Sequence, residues 1–480
     1  MNKTFLFIFS ILSTAIFAQQ KNNLDKNIYT ILDNNAENLL KKSKAYSVSI
    51  GIVKDGKVYT KHYGELDKGK SNKANNDTYF EIASVTKVMT GYLLAKAVLE
   101  RKVNLDDDIR KYLKGDFKNL EFNGKPISIK DLISYESAIP SVLPDDRDIM
   151  RTFDDSTTFK LVKLHRDYTK NDFLRDLKTV KLDTIPGTKY NYSNPSLEIT
   201  GLLLENIYKK PFENLLKEHL WTKLNMKHTK FALNPKEKLA TGFNNNHTLM
   251  PHFVSNLWGA SGVKTKSNLS DLMQLLKFEL ESQNKIVQET QRNIKNSNGN
   301  WFGYFWDNIY ISEFGKYAYK HGGAFGNQVM FSIFPEQNIG VCLIVNISGP
   351  ETHGVLANSV FDIANDLLVK DKVAPNTYGY KLTNDKVVFT YHHNQKLDSK
   401  LIKSISVTGS FNDWNPENKM YQMLPKDNNT FELELPKTQF DKGKEYQFKF
   451  VINNVRWIMT PKNALNTDKT EDNNLTFKID

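Results

Sequence analysis

Between residues 46 and 63 the chain alternates in hydrophobicity. Tyr46, Val48, Ile50 and Ile52 fall on one face, with Ser47, Ser49 and Gly51 between them. A period of two is that of a β-strand. Asp55-Gly56 separates this run from Val58-Tyr59-Thr60, and an Asp-Gly between two β-rich runs predicts a hairpin. From Ser84 to about Arg101 the apolar positions take up a helical period. Asp131–Ser137 reads as a short helix, and residues 141–182 as a polar, charged insertion with no clear period. Helical patterns return at Ser196–Tyr208, Phe212–Leu224, Ser270–Ser282 and Glu351–Val369; Trp301–Tyr310, Lys316–His321, Gln328–Phe334 and Gly340–Asn346 read as strands. This order predicts an α+β domain in which strands from both ends form one antiparallel sheet with helices around it.

Beyond Lys370-Asp371-Lys372-Val373-Ala374-Pro375 the pattern changes. Short strands recur at Val387–Tyr391, Ser404–Val407, Thr430–Leu435, Tyr446–Ile452 and Asn474–Ile479, which predicts a small all-β, immunoglobulin-like sandwich. At the other end, Met1-Asn2-Lys3, an apolar run Thr4–Phe17 and Ala18-Gln19-Gln20 have the form of a secretory signal cleaved after Ala18. The run is too short to make a good membrane span. The expected division is therefore a signal at 1–18, an α+β domain at 24–370 and the sandwich at 378–480, exported to the periplasm or outside the cell.

Composition removes some function classes. The chain has 480 residues and a net charge of +11, but acidic residues are interspersed among the lysines. With no single-sign block, a nucleic-acid groove is not expected. Cys342 is the only cysteine and sits in an apolar run, so it reads as a structural thiol. No His-Glu-x-x-His or other cluster of metal ligands is visible, and neither metal nor cofactor is expected.

The candidate chemistry begins at Ser84-Val85-Thr86-Lys87. A serine and a lysine three apart on a helix share a face, and a lysine whose charge is suppressed can take the serine proton. Ser261-Lys264 and Ser282-Lys285 have the same spacing, so context has to separate them. Tyr192-Ser193-Asn194 is the only Tyr-x-Asn in the chain; a tyrosine beside a cationic lysine is expected to have a lowered pKa and to relay protons. His321-Gly322-Gly323-Ala324 ends a predicted strand, where glycines let a substrate approach backbone N–H groups.

Taken in order, these three segments resemble the serine β-lactamase and penicillin-binding protein superfamily, above all its branch of class C β-lactamases, D-alanyl-D-alanine carboxypeptidases and related esterases. The resemblance spans roughly residues 30–370. It extends to Leu105-Asp106-Asp107-Asp108, Pro186-Gly187-Thr188-Lys189 and Gly259-Ala260-Ser261-Gly262-Val263-Lys264-Thr265. The last of these is the family's glycine-containing turn, so Ser84 is preferred over Ser261. The resemblance implies Ser84 as nucleophile, Lys87 as base, Tyr192 as proton relay and Asn194 as the group that positions the lysine and the substrate amide. It implies His321 in the place of the third-motif lysine, Gly322 and Gly323 against the substrate, and an oxyanion hole from the N–H groups of Ser84 and Ala324. Two departures stand out. Tyr135-Glu136-Ser137-Ala138 replaces the relatives' His-Thr-Ser-Gly, bringing a carboxylate to the site entrance, and the insertion at 141–182 is expected to cover the site. Loss of a permanent cation at position 321 favours an esterase or D-Ala peptidase over an efficient β-lactamase.

The C-terminal segment Gly409-Ser410-Phe411-Asn412-Asp413-Trp414-Asn415, with Tyr446–Val451 and Asn454-Val455-Arg456-Trp457, resembles the glycogen-binding module of AMP-activated kinase β subunits and the N-terminal domain of starch-branching enzymes. The resemblance implies sugar stacking on Trp414 and Trp457, with hydroxyl contacts from Lys449 and Asn473; Lys469 falls near the relatives' apolar wedge. The expected activity is an exported serine hydrolase acting through an acyl-enzyme on Ser84. Its expected partners are small ester, amide or D-Ala peptide substrates, with a polysaccharide at the C-terminal module. The competing reading is a catalytically inactive penicillin-binding-type or glycan-binding surface protein.

Overall fold

The Asp55-Gly56 hairpin forms as predicted, both turn residues taking positive φ. It joins β1 (Ser47–Lys54) to β2 (Lys57–Gly64) with Lys54 opposite Lys57. In this computed structural model residues 25–152, 154, 156–295, 297, 299–368, 377–393, 401–461, 463–470 and 472–479 are described. The expected signal at 1–18 and the boundary at 370–375 lie outside the described residues.

The hairpin is one edge of a seven-stranded antiparallel sheet. The remaining strands are β3 (Asn300–Trp301), β4 (Asn308–Ser312), β5 (Gly315–Gly323), β6 (Gln328–Phe334) and β7 (Ile339–Val345), in the order β2-β1-β7-β6-β5-β4-β3. Strands from both ends of the domain thus meet at β1 and β7. One face of the sheet is covered by α1 (25–43) and by the last of the described α-helices, α11 (Thr352–Leu368); Leu32, Val48, Ile50, Leu343 and Val360 fill that layer. The other face carries the larger core, built on α2 (Thr86–Leu99), α7 (Asn194–Tyr208) and α9 (Leu269–Glu279). The helices between them are α3 (Ile129–Ile133), α4 (Arg147–Met150), α5 (Thr157–Arg166), α6 (Lys170–Leu177) and α8 (Phe212–Leu216), and α10 (Lys285–Thr290) follows α9. Helix α2 is buried on almost every side, Lys87 included, as expected of a central helix without a polar face. That places Ser84, in the 3-10 turn Ala83–Val85 just ahead of α2, against the sheet.

Two expectations change. The run Trp301–Tyr310 is not one strand. Gly303 and Phe305 take positive φ and turn the chain between β3 and β4, which buries Tyr304, Phe305 and Trp306 completely. An aromatic run has the composition of a strand, but here only a turn puts all three rings in the core. The insertion 141–182 has more order than its composition suggests. Thr169 and Asp172 form a capping box at the start of α6, whose Phe173 and Leu177 are buried. His165 Nδ1 on α5 accepts the Trp258 indole N–H at 3.2 Å, tying the insertion to the 250–258 loop.

The described strands between Tyr380 and Lys478 form two sheets. One has the order β8 (Tyr380–Leu382), β9 (Lys386–His392), β12 (Thr430–Pro436), β11 (Leu424–Pro425); the other pairs β10 (Ile405–Gly409), β13 (Glu445–Ile452) and β14 (Arg456–Trp457), with β15 (Leu475–Lys478) on β13. Val387, Phe389, Val407, Phe448, Phe450 and Phe477 fill the space between them. This all-β part touches the larger one where the Arg456 guanidinium pairs with Glu313 at 2.6 Å and lies 3.5 Å from the Phe361 ring centroid.

Candidate active site

The turn bearing Ser84 is fixed from several sides. Ala83 is held at positive φ. Gly322 of β5 passes so close that a Cβ there would lie 2.3 Å from the Ile82 carbonyl oxygen, and one on Gly262 would lie 2.3 Å from that of Ala83. Glycine is needed at both positions for this close approach. Ahead of the turn, buried Glu81 accepts the Phe253 N–H at 2.8 Å, and its carbonyl accepts Asn327 Nδ2 at 2.7 Å.

Ser84 Oγ lies 2.8 Å from Lys87 Nζ and accepts a hydrogen bond from the Tyr192 hydroxyl at 3.0 Å. Lys87 is fully buried, and its Nζ also donates to the Ser261 carbonyl at 2.7 Å. Burial, and after it the charge of Lys320, holds Lys87 well below the ordinary lysine range. Tyr192 behaves contrary to expectation. Burial, and after it the charge of Asp307, pushes its phenol well above the usual value, so Tyr192 is a neutral donor to Ser84.

Lys320 completes the group. It is fully buried, pairs with Asp307 and donates to the Tyr135 hydroxyl at 3.1 Å. Lys87 and Lys320 each lie 5.2 Å from the Tyr192 ring centroid, and Tyr135 stacks on Tyr192 at 4.9 Å. The arrangement suits acyl transfer: a nucleophilic hydroxyl, a desolvated amine to take its proton, a neutral phenol beside both, and a buried cation behind.

The family model named Beta-lactamase matches residues 32–365. The chain belongs to the beta-lactamase family. It is 31% identical over 344 residues to Protein flp of Staphylococcus aureus strain MW2, a match covering 68% of this chain and 64% of that protein's length. It is 23% identical over 382 residues to the D-alanyl-D-alanine-carboxypeptidase/endopeptidase AmpH of Escherichia coli, covering 74% of this chain and 93% of that one. A solved beta-lactamase/D-alanine carboxypeptidase from Yersinia pestis superposes with a TM-score of 0.59 at 20% identity, over 71% of this chain and 98% of its own, and shows the same fold. Beta-lactamase family members of this fold are serine hydrolases.

Within this beta-lactamase-type domain, Ser84, Lys87 and Tyr192 come together as expected, but several other residues do not. His321 points to the opposite face of the sheet. Along β5, Ala318, Lys320 and Gly322 face the helices around Ser84, whereas Tyr317, Tyr319 and His321 face α11. The His321 ring meets Gln328 at 2.9 Å and His353 edge-on at 4.7 Å; burial, with His353 adding to it, lowers its pKa to about 4. Lys320, one residue earlier, holds the position assigned to His321 from sequence, so the cation thought lost is present. Ala324 is displaced too. Its N–H is taken by the Asn327 carbonyl at 2.9 Å. Since Ala324 and Asn327 form a hydrogen-bonded pair, alternation along the ladder turns the Gly323 N–H away from β6, as it turns the His321 N–H toward Asp307 at 2.7 Å. Asn194 sits in the first turn of α7 with its Oδ1 buried and, among the described residues, unpartnered. Glu136 does not reach into the entrance: it pairs with Lys295 and accepts Ser134 Oγ at 2.8 Å.

Lys320, Asp307 and Tyr135 were not found from sequence. The signal for Lys320 was present, because it is two residues before Gly322 and so shares its face. Among the described residues no group of His, Cys, Asp and Glu is arranged to hold a metal ion, and no helix is long and apolar enough to cross a membrane. Cys342 is buried in β7. In the C-terminal part the Trp414 and Trp457 ring centroids are 6.1 Å apart, and Lys449 donates to the Asp472 carbonyl at 2.8 Å, next to Asn473.

Proposed function

We propose that this chain is a serine acyl hydrolase that forms an acyl-enzyme on Ser84, with preference for small esters over D-Ala-ended peptides and for either over β-lactams. The observation that carries the reading is the Ser84 hydroxyl held at 2.8 Å from a fully buried lysine amine. Neutral Lys87 takes the Ser84 proton as the oxygen attacks the acyl carbon. Tyr192 passes a proton to the leaving group, and the N–H groups of Ser84 and Gly323 receive the oxyanion. Asn194 Oδ1 is an open acceptor for a substrate amide N–H or for the Lys87 ammonium. Water then attacks the acyl-enzyme, with Lys87 and Tyr192 acting in reverse. The preference for esters follows from Lys320. Its charge is buried and already paired with Asp307, so it offers little to a substrate carboxylate, which a simple ester does not need.

The test is a panel of p-nitrophenyl esters, a D-Ala-D-Ala peptide and a fluorescent penicillin, run on wild type and Ser84→Ala. Ester turnover that vanishes in the variant, with the fold intact by circular dichroism, is the expected result. Unchanged turnover in Ser84→Ala would overturn it, and silence of wild type on all three probes would return the chain to the inactive-receptor reading.

The paired tryptophans favour a second element of function, the binding of a glycan by residues 378–480. Two indole rings 6.1 Å apart suit a flat hydroxylated ligand. Retention on an α-glucan or xylan gel, lost in Trp414→Ala plus Trp457→Ala, is expected; no retention on either would contradict it. Together with the signal read at residues 1–18, this describes an exported enzyme working beside a polysaccharide.

A further inference from the structure

Behind the nucleophile lies an acidic side chain that the acylation chemistry leaves unused. Glu198 is on α7, one turn beyond Asn194, and is buried. Its Oε1 accepts the Ser261 N–H at 2.7 Å, and the carbonyl of the same residue accepts Lys87 Nζ at 2.7 Å. Ser261 is therefore held between Glu198 and Lys87, in a turn packed against the Ser84 turn through Gly262. The adjoining Ala260 carbonyl accepts Thr90 Oγ1 at 2.7 Å, which fixes the turn to α2.

We propose that Glu198 is a positioning residue for acylation: its carboxylate seats Ser261 against Lys87, and its charge sets the pH at which Lys87 becomes the base for Ser84. The proposal rests on the reading of Lys87 as that base. Two opposite charges on either side of one residue each favour the charged form of the other, here as a contribution smaller than burial and the other neighbouring charges. The charged groups acting on Glu198 are Lys87 from α2 and Lys264 from the 259–265 turn; Lys87 also feels Lys320 and Asp307 from the sheet side. Burial, opposed by the Ser261 N–H, pushes the Glu198 carboxyl up to about 7. As pH rises, Glu198 ionises and holds the proton on Lys87, which delays formation of the neutral amine. The acid limb of acylation is thereby shaped by two coupled groups.

The experiment follows the rate of labelling by a fluorophosphonate probe against pH in wild type, Glu198→Gln and Lys87→Met. Glutamine keeps an acceptor for the Ser261 N–H but removes the charge. The acid limb in Glu198→Gln should move to lower pH by about one unit, with the melting temperature little changed. A limb at the wild-type position would overturn the coupling. A readout on the wild-type protein guards against a variant that does not fold: the Ser261 amide resonance should titrate with an inflection near 7, and a flat profile would overturn the proposal as well. Lys87→Met should label slowly at every pH. Labelling at the wild-type rate would instead overturn the base assignment, which separates that failure from a failure of the coupling.

Discussion

At the scale of single residues the site depends on suppressing a charge. Lys87 can act as a base at lower pH than an ordinary lysine because it is buried beside a second lysine, Lys320, whose own charge is balanced by Asp307. The sign follows directly: burial favours the neutral amine, so a larger fraction is reactive at a given pH than for an exposed lysine. Lys87→Arg, which cannot deprotonate, is expected to lower the acylation rate roughly 10²- to 10⁴-fold, measured by single-turnover ester cleavage. Asp307→Asn frees the Lys320 charge and should change the pH dependence of kcat more than KM, checked by a full pH–rate profile. Ser84 and Lys87 were legible in the sequence because their spacing is local, and Tyr192 because its Tyr-x-Asn occurs only once. Lys320 was not found because the resemblance matched His321-Gly322-Gly323 to the third motif, while the parity of β5, set by the contact of Gly322 with Ile82, decides which of the two residues faces Ser84. The Tyr192 pKa departs from expectation for a related reason: a sequence shows the lysines, but not the burial and the Asp307 charge that raise it.

At the scale of elements, close backbone approach does much of the positioning. Gly322→Ala would push a methyl into the Ile82 carbonyl and should destabilise the domain by about 1–3 kcal/mol. In Gly323→Ala the nearest atom to the new Cβ is His321 Cε1 at 3.4 Å, so near wild-type stability is expected; thermal denaturation of the two variants compares them. The hairpin, the long strands β6 and β7 and the buried helix α2 could all be read from periodicity, since one or both of their faces meet a core. The turn at 302–307 and the helices of 141–182 could not. The first has the composition of a strand, and the second is amphipathic only over short stretches such as Phe173 and Leu177, whose meaning comes from Trp258 and its neighbours on a distant loop.

At the scale of the whole molecule, the two parts meet through a buried charge pair. Arg456 and Glu313 have side chains only 11% and 13% exposed, and the guanidinium also covers Phe361. Removing one partner strands the other, at a cost of about 3–5 kcal/mol. Arg456→Ala is therefore expected to separate the calorimetric melting of the two parts, whereas a single unchanged transition would show that the contact does not couple them. A sequence offers no access to such a pairing, because the residues are 143 positions apart.

The central claim is that Ser84 carries the acyl group. Mass spectrometry of wild-type protein quenched during turnover of a p-nitrophenyl ester tests it most directly. One acyl mass is expected on the peptide containing Ser84, absent in Ser84→Ala. Turnover with the adduct on another residue, or undiminished turnover in Ser84→Ala, would contradict the account.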